Sequence, residues 1–229
     1  KFDSSGIYQG YWGLTTGVSD LDTINHLHCD ANDVLYVAPD AGYLVKKFTT
    51  AGVYIGSIGT LGAAADELKE PKYAVTDPSL NVYVYDGGDG LIHKYNSAGV
   101  HQWWSDQTVD LQDMFGIDYS AGYLYALGKY TLNSKLKLLD VATGALYDTL
   151  ILQEIVTDIS VFTGLYIRNS TAYTRMIGQA IIEVSITTGA LGRAYGTTGN
   201  RLLNDRLATI TSEQQFHDPQ RFAMNSDGS

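Results

Sequence analysis

The sequence predicts an all-β protein made of repeated four-stranded antiparallel units, each about 46 residues long. Three observations lead to this prediction. A hairpin-like segment that ends in glycine recurs along the chain at nearly constant intervals. A short β-branched and aromatic segment precedes each of the later copies. No amphipathic segment with a helical period extends beyond about two turns, which excludes helical repeats of similar length.

The repeat is marked by a turn glycine. The segments that carry it are 1–6, 47–52, 94–99, 139–144 and 184–189. Their glycines are separated by 46, 47, 45 and 45 residues. An apolar strand end, small polar residues and then glycine indicate a hairpin, in which glycine takes the positive φ that β-branched residues avoid. The last two copies carry one extra turn residue, so two loop lengths are expected.

A second strand lies upstream of each of the later glycines. These strands are 34–37, 82–85, 123–126 and 171–174. They are short and apolar on both faces, which is typical of a sheet that is covered on both sides. A further strand precedes each one, across turns such as 30–33 and 77–81. A period in the forties with four strands per repeat predicts a β-propeller of four-stranded antiparallel blades, with six blades in the full protein.

The blade boundaries follow from the repeat, within a single propeller domain over 1–229. Residues 1–13 are expected to end one blade, and 200–229 to begin another. The whole blades between them are predicted at 14–60, 61–106, 107–152 and 153–199. Because both ends of the chain fall inside a repeat, we expect the sequence to be a fragment of a longer propeller.

The unit from 61 to 106 reads Glu70-Pro71-Lys72-Tyr73-Ala74-Val75-Thr76-Asp77, and then Asn81-Val82-Tyr83-Val84-Tyr85-Asp86. In this pattern it resembles an NHL repeat. The proline fixes φ just before a strand, where no ladder donor is yet needed. Asp218-Pro219-Gln220-Arg221-Phe222 repeats the pattern, whereas Ile24 replaces the proline in the unit 14–60. The resemblance implies an NHL-type propeller whose other blades have diverged.

Composition and charge limit the classes of partner that the protein is expected to bind. The net charge is −10, with 15 Lys and Arg residues scattered among 25 Asp and Glu residues. Nucleic acid and anionic membrane surfaces are therefore unexpected partners, because both require clustered cations. No apolar run is long enough to span a membrane. The abundant Tyr and Gly favour an extracellular, cell-surface or virion protein, with a cytoplasmic location left open.

Propellers bind ligands on the loops that join the second strand to the third and the fourth to the next blade. On this basis the candidate ligand-binding residues are Asp40, Tyr43, Asp86, Asp89, Lys129 and Arg175. The loop Asp86-Gly87-Gly88-Asp89-Gly90 is the most distinctive, because its carboxylates suit Ca²⁺ or sugar hydroxyls. The alternative is a solvated hairpin in which the aspartates cap turns. Ca²⁺ is the one cofactor considered, and no catalytic residue or metal site is assigned.

Two other groups have structural explanations beside functional ones. His26 and His28 point to the same side of an inner strand, which gives two metal ligands or two packing positions. Trp103 and Trp104 fit a carbohydrate-stacking surface or packing between blades. The sequence Asn169-Ser170-Thr171 is an N-glycosylation sequon, a pattern that also arises by chance.

Two functions remain in consideration. The leading hypothesis is a non-catalytic binding or structural propeller that presents loops to a protein or carbohydrate partner. The alternative is a propeller hydrolase or lyase, resembling lactonases, with a divalent metal at the channel mouth. No nucleophile elbow, zinc-protease motif, paired CxxC or P-loop is present. The oligomeric state is left open.

Overall fold

The computed structural model describes residues 5–10, 21, 23–39, 43–62, 64, 66–105, 114–130, 133–151, 162–176, 180–187 and 191–195. Within these ranges the chain forms sixteen strands and no helix. The described residues therefore contain no helix that could span a membrane. The strands form four antiparallel sheets of four strands each, and neighbouring strands in a sheet are consecutive in the chain. The all-β prediction and the four-stranded antiparallel unit are thus confirmed.

The chain divides into two compact units, and the first covers Lys1–Trp104. It contains two sheets. Sheet 1 consists of β1 (Ile24–Cys29), β2 (Val34–Pro39), β3 (Val45–Thr49) and β4 (Tyr54–Ile58). Sheet 2 consists of β5 (Pro71–Thr76), β6 (Val82–Asp86), β7 (Leu91–Tyr95) and β8 (His101–Trp104). Pro71 begins β5, the position expected from the repeat, because a strand's first residue can lack a ladder donor.

The second unit covers Ser105–Ser229 and also contains two sheets. Sheet 3 consists of β9 (Met114–Ser120), β10 (Tyr123–Tyr130), β11 (Asn133–Asp140) and β12 (Leu146–Ile151). Sheet 4 consists of β13 (Phe162–Arg168), β14 (Thr171–Met176), β15 (Ala180–Ser185) and β16 (Leu191–Tyr195). The segment from 196 to 229, which includes the predicted start of a further blade, lies outside the described residues.

The hairpin between the third and fourth strands has the predicted turn chemistry. Gly52, Gly99 and Gly144 have φ of 86°, 80° and 73°. Each follows a side chain that caps the turn, since Asn96 Oδ1, for example, accepts hydrogen bonds from the backbone N–H groups two and four residues later. The recurring glycine therefore marks a conformational requirement of the hairpin.

Each unit has its core between its two sheets. In the first unit, buried side chains of β2, β3 and β4 pack against buried side chains of sheet 2, including Ala74, Val84 and Tyr95. In the second unit, Leu127 and Leu136 of sheet 3 pack with Ile182 and Val184 of sheet 4. The second strands of the first three sheets are buried on both faces over most of their length, as the sequence predicts for β2, β6 and β10. In β14 buried Ala172 and Thr174 alternate with half-buried Thr171 and Tyr173.

Two segments predicted as loops belong to strands. Gly128-Lys129-Tyr130 ends β10, where Lys129 pairs with Ser134 of β11. Arg175 and Met176 end β14, where Arg175 pairs with Ile181 of β15. The ladders of the second unit therefore continue further towards this hairpin than the residue pattern suggested.

Candidate binding face

The candidate binding face lies in the first unit, at the end of the sheets where β2 turns into β3 and β6 turns into β7. In antiparallel sheets with consecutive strands, the connection from β4 to β5 comes to the same end. Residues 66–70 and 87–90 meet there, since the Gly87 N–H donates to the carbonyl of Glu70 over 2.8 Å. Two connections that are separate in sequence thus form one surface.

Asp86 joins these two connections. It is the last residue of β6 and is fully buried. Its Oδ1 accepts hydrogen bonds from the backbone N–H groups of Glu70 (2.7 Å) and Gly88 (2.8 Å). Its Oδ2 accepts one from the N–H of Lys69 over 2.5 Å. A buried carboxylate that accepts three N–H donors fixes both loops in place and leaves the glycine tip, Gly87 and Gly88, exposed.

Asp89 begins a second network, which runs away from the loop. Its Oδ1 accepts from the N–H of Leu91 (2.9 Å), and its Oδ2 lies 3.0 Å from His93 Nε2. His93 is fully buried on β7, and its Nδ1 lies 3.3 Å from Nε2 of His101 on β8. Burial of the Asp89 carboxylate raises its pKa, but the hydrogen bond and charge of His93 outweigh this and lower the pKa overall.

Asp86, Asp89 and His93 offer atoms that all lie within 4.8 Å of one another, as a cation site would require. Their hydrogen bonds provide a different explanation of the cluster. The carboxylate oxygens of Asp86 point at three N–H groups, and both ring nitrogens of His93 have partners. A hard cation such as Ca²⁺ would have to displace these donors, and imidazole is not a ligand that Ca²⁺ prefers. We therefore describe the cluster as a hydrogen-bond network.

The other predicted site residues are distributed differently. Tyr43 precedes β3 and is 52% exposed. It lies in the connection from β2 to β3 of sheet 1, which corresponds to the connection 87–90 of sheet 2. Asp40 lies outside the described residues, and so do the side chains of Lys129 and Arg175. The structure therefore brings Asp86 and Asp89 together, while the prediction for Asp40, Lys129 and Arg175 concerns side chains outside the described part of the chain.

The opposite end of the first unit carries a repeated aspartate turn. Asp30 Oδ1 accepts from the N–H groups two and four residues later, and Asp77 Oδ1 does the same. The Oδ2 atoms accept from Tyr36 (3.2 Å) and Tyr83 (2.9 Å) hydroxyls, six residues on. Burial, together with the charge and hydrogen bond of Asp30, raises the pKa of Tyr36 to about 12. This Asp-to-Tyr spacing of six was a sequence signal that could have been found.

The inner strands use polar side chains to contact the next sheet. His28 Nε2 accepts from the Thr76 N–H over 3.2 Å and lies 2.8 Å from its Oγ1. His26 Nδ1 accepts from the Ala74 N–H over 3.4 Å. These contacts favour the packing interpretation of the two histidines over the metal interpretation. Burial lowers the pKa of His28 to about 4, against the opposing charge of Asp30, so this imidazole is neutral at physiological pH.

The second unit makes the same kind of contact with a carboxylate. On β9, Asp118 Oδ2 accepts from the Ile167 N–H of β13 over 2.6 Å, and its Oδ1 accepts from the Tyr119 N–H over 2.8 Å. Burial raises the pKa of Asp118 to about 7, although both backbone hydrogen bonds act in the opposite direction. Sequence reasoning missed Asp118, because an isolated aspartate in a strand carries no motif.

The two tryptophans on β8 have different surroundings. Trp103 packs against Tyr83, with ring centroids 5.9 Å apart, and Lys94 Nζ lies 5.9 Å from the Trp103 ring. Trp104 is 45% exposed and stacks on His101, with centroids 5.6 Å apart and planes 27° apart. Packing within the sheet therefore explains Trp103, while Trp104 keeps an exposed face.

No family model and no curated protein matches the sequence. Solved structures match the fold. A structure of a nidogen/laminin complex matches with a TM-score of 0.61 and 15% identity over 77% of this chain and 64% of that one. The virginiamycin B lyase of Staphylococcus aureus matches with a TM-score of 0.60 and 13% identity over 87% and 63%. A streptogramin B lyase matches with a TM-score of 0.57 and 8% identity over 79% and 57%.

These similarities, together with the four consecutive four-stranded sheets, define the class of protein: the fold is a β-propeller, and each sheet is a blade. The chain spans 57% to 64% of the length of the three structures named. Identities of 15% and below establish the fold and leave function to the residues of the site.

Proposed function

We propose that this chain is a non-catalytic binding propeller of the NHL type, which presents loops of its first two described blades to a protein or carbohydrate partner. One observation carries the proposal: buried Asp86 holds residues 69–70 and 88 together and leaves the glycine tip of the loop exposed. A loop that is already fixed loses little conformational entropy on binding, so its contacts contribute more to affinity.

The composition of the face supports this proposal. The N–H groups of Gly87 and Gly88 donate to Glu70 and Asp86, so these exposed glycines would offer a partner their carbonyl oxygens. Tyr43 adds an exposed aromatic ring at the same end of the neighbouring blade. Tyrosine combines a large contact area with a polar hydroxyl and is enriched in binding surfaces. The net charge of −10 favours a neutral or basic partner. A location outside the cell or on a virion is part of the proposal and rests on composition alone.

The alternative, a propeller hydrolase or lyase with a divalent metal at the channel mouth, has weaker support. It requires inward-pointing His, Asp or Glu side chains from several blades around one point. The inner-strand side chains His26, His28 and Asp118 accept backbone N–H groups of the adjoining blade instead. Among the described residues, the one compact group of potential ligands comes from a single blade. Elemental analysis of the purified protein distinguishes the two functions, since stoichiometric zinc, manganese or calcium would favour the enzyme.

The binding proposal is tested with a glycan array and a displayed peptide library, followed by affinity measurements on the hits. We expect Gly87→Glu and Tyr43→Ala each to weaken a hit at least tenfold, the loss of about 1.4 kcal/mol that one good contact supplies. Tyr147→Ala is the matched control, because Tyr147 is equally an exposed tyrosine (63%) but lies on the outer strand β12. Hits that respond to Tyr147→Ala and not to the loop variants would refute the proposed face, and no hits on either library would count against a binding function.

A further inference from the structure

A line of three polar side chains connects the exposed loop of blade 2 to its outer strand. Asp89 lies in the loop, His93 on the third strand and His101 on the fourth. The separations are 3.0 Å from Asp89 Oδ2 to His93 Nε2 and 3.3 Å from His93 Nδ1 to His101 Nε2. His93 is fully buried between a carboxylate and a second imidazole. The number of protons on the two imidazoles therefore decides whether the hydrogen bond between His93 and His101 can form.

With both imidazoles neutral, every contact is a proper hydrogen bond. His93 Nε2–H donates to Asp89, and His101 Nε2–H donates to His93 Nδ1. With one added proton the line is again complete, because the two facing nitrogens, His93 Nδ1 and His101 Nε2, can still share a single hydrogen. With a second added proton both facing nitrogens carry hydrogen, so the bond between His93 and His101 is lost and two like charges are adjacent.

The outer strand β8 has few other contacts that hold it to its sheet, so the hydrogen bond between His93 and His101 matters more for it than for a central strand. β8 has only four residues and pairs with β7 alone, with a bulge between Lys94 and Tyr95. In the ladder His93 pairs with Trp104, whereas His101 pairs with Tyr95 and places its Nε2 beside His93 Nδ1. The His101 ring also contacts Tyr95 and Trp104, with centroids 5.2 Å and 5.6 Å away. A short edge strand with few ladder bonds belongs to the part of a fold that opens most readily.

We propose that the network is a pH-sensitive latch that holds β8 on its sheet. It accepts one proton with its hydrogen bonds intact, and the second proton breaks the bond between His93 and His101 and releases the strand. Asp89 keeps its hydrogen bond from His93 Nε2 in each of these states, so the loop 87–90 stays held while β8 opens. This inference does not depend on the proposed binding function.

The charged groups around the latch set its pH range. Asp86 and Asp89 face His93 from the loop side, and Lys69 acts on Asp89. Asp66, in the connection before β5, acts on His101 and favours its protonation. From blade 1, Val45 and Ile58 belong to the same buried apolar cluster as Tyr95 of β7.

The sign of the pH dependence follows from these surroundings. Burial, followed by the charge of His93, lowers the pKa of His101 below its ordinary value of 6.5. The open strand therefore binds a proton more readily than the closed strand, and closure weakens as the pH falls below about 6.5. Asp89 stays ionised in this range because its pKa is lowered as well.

The test is hydrogen exchange by mass spectrometry on the whole chain at pH 7.5 and pH 5, corrected for intrinsic exchange rates. Linkage over about 1.5 pH units predicts that opening of the peptide covering 99–105 increases by up to about 30-fold at pH 5. The internal control is β4 (Tyr54–Ile58), the outer strand of blade 1, which has no group that titrates in this range. A change in 99–105 no larger than the change in β4 would overturn the proposal.

Two variants separate the latch from general destabilisation. In His101→Gln the amide still donates to His93 but cannot be protonated, so protection at pH 7.5 should stay within about threefold of wild type and lose its extra pH dependence. In His101→Phe the ring remains but His93 loses its partner, so protection of 99–105 should fall at both pH values. Persistence of the wild-type pH dependence in His101→Gln, or wild-type protection at pH 7.5 in His101→Phe, would each show that the bond does not hold the strand.

Discussion

The role of Asp86 can be tested by replacing it with alanine. The substitution removes a fully buried carboxylate that accepts three backbone N–H groups. Gly88 is exposed and its N–H can bind water, whereas the N–H groups of Lys69 and Glu70 are half-buried and lose charged acceptors worth about 1.5–3 kcal/mol each. Because both residues are only half-buried, the lower value applies to each, so we expect the free energy of unfolding to fall by about 3 kcal/mol. For a chain of this size that corresponds to a fall of roughly 6–12 °C in Tm.

The measurement is calorimetry or denaturant unfolding, with Asp140→Ala as the matched control. Asp140 Oδ1 also accepts three hydrogen bonds, from Ala142 N–H, Thr143 N–H and Thr143 Oγ1, but at an exposed hairpin turn. Water replaces those contacts, so the control should cost less than about 1 kcal/mol. If Asp86→Ala and Asp140→Ala destabilise the protein equally, burial does not strengthen the Asp86 contacts and the two loops are not held by this residue.

Two further predictions concern the contact between blades 3 and 4. In Gly116→Ala the new methyl group would lie 2.8 Å from the backbone nitrogen of Leu165, which cannot move aside, so we expect the free energy of unfolding to fall by about 1–3 kcal/mol. Gly87→Ala is the control in the same unfolding assay. Its added methyl group meets the flexible Lys72 side chain, so it should cost less than about 0.5 kcal/mol. For Asp118, the pKa raised from 3.8 to about 7 means that the folded state binds its proton more tightly, so wild-type stability should decrease, relative to Asp118→Asn, as the pH rises from about 4 to 7. The difference between the two proteins should change by up to about 4 kcal/mol over that range, and a difference that stays constant with pH would contradict the raised pKa.

The sequence predicts the fold well because the fold depends on local and periodic features. Gly52, Gly99 and Gly144 recur because one hairpin conformation with positive φ recurs. The second strands of the first three sheets are recognisable because burial on both faces leaves a short apolar run. Neither feature reports how many blades the full protein has, so six blades remain a prediction.

The candidate site was harder to predict because its contacts join distant parts of the chain. Asp86 was identified as a loop carboxylate, but its main partners, Lys69 and Glu70, lie 17 and 16 residues earlier. His93 and His101 are eight residues apart and belong to no sequence motif, and the register of β7 and β8, with its bulge, brings their rings together. A residue pattern contains spacing, but it does not contain the register across a bulge.

The inner strands of blades 1 and 3 make the same contact with the adjoining blade through different side chains. In blade 1 the imidazole of His28 accepts the N–H of Thr76, and in blade 3 the carboxylate of Asp118 accepts the N–H of Ile167. Each contact satisfies a backbone donor on the strand of the adjoining blade, and each joins residues 48 or 49 positions apart. The chemical group differs while the function is the same, so a search for a repeated residue finds nothing.

The two ends of the first unit differ in a way that bears on where function lies. At one end, Asp30 with Tyr36 and Asp77 with Tyr83 repeat the same turn in both blades. At the other end, Asp86 ends β6 and Asp89 follows it in the loop. The two histidines of their network have no counterpart in blade 1, because Lys46 occupies the position matching His93 in the repeat and Tyr54 the one matching His101. A feature repeated between blades is explained by the fold that the blades share, whereas a feature confined to one blade requires another explanation. Substitutions at the loop end should therefore alter binding and pH response with modest effects on stability, apart from Asp86, on which both depend.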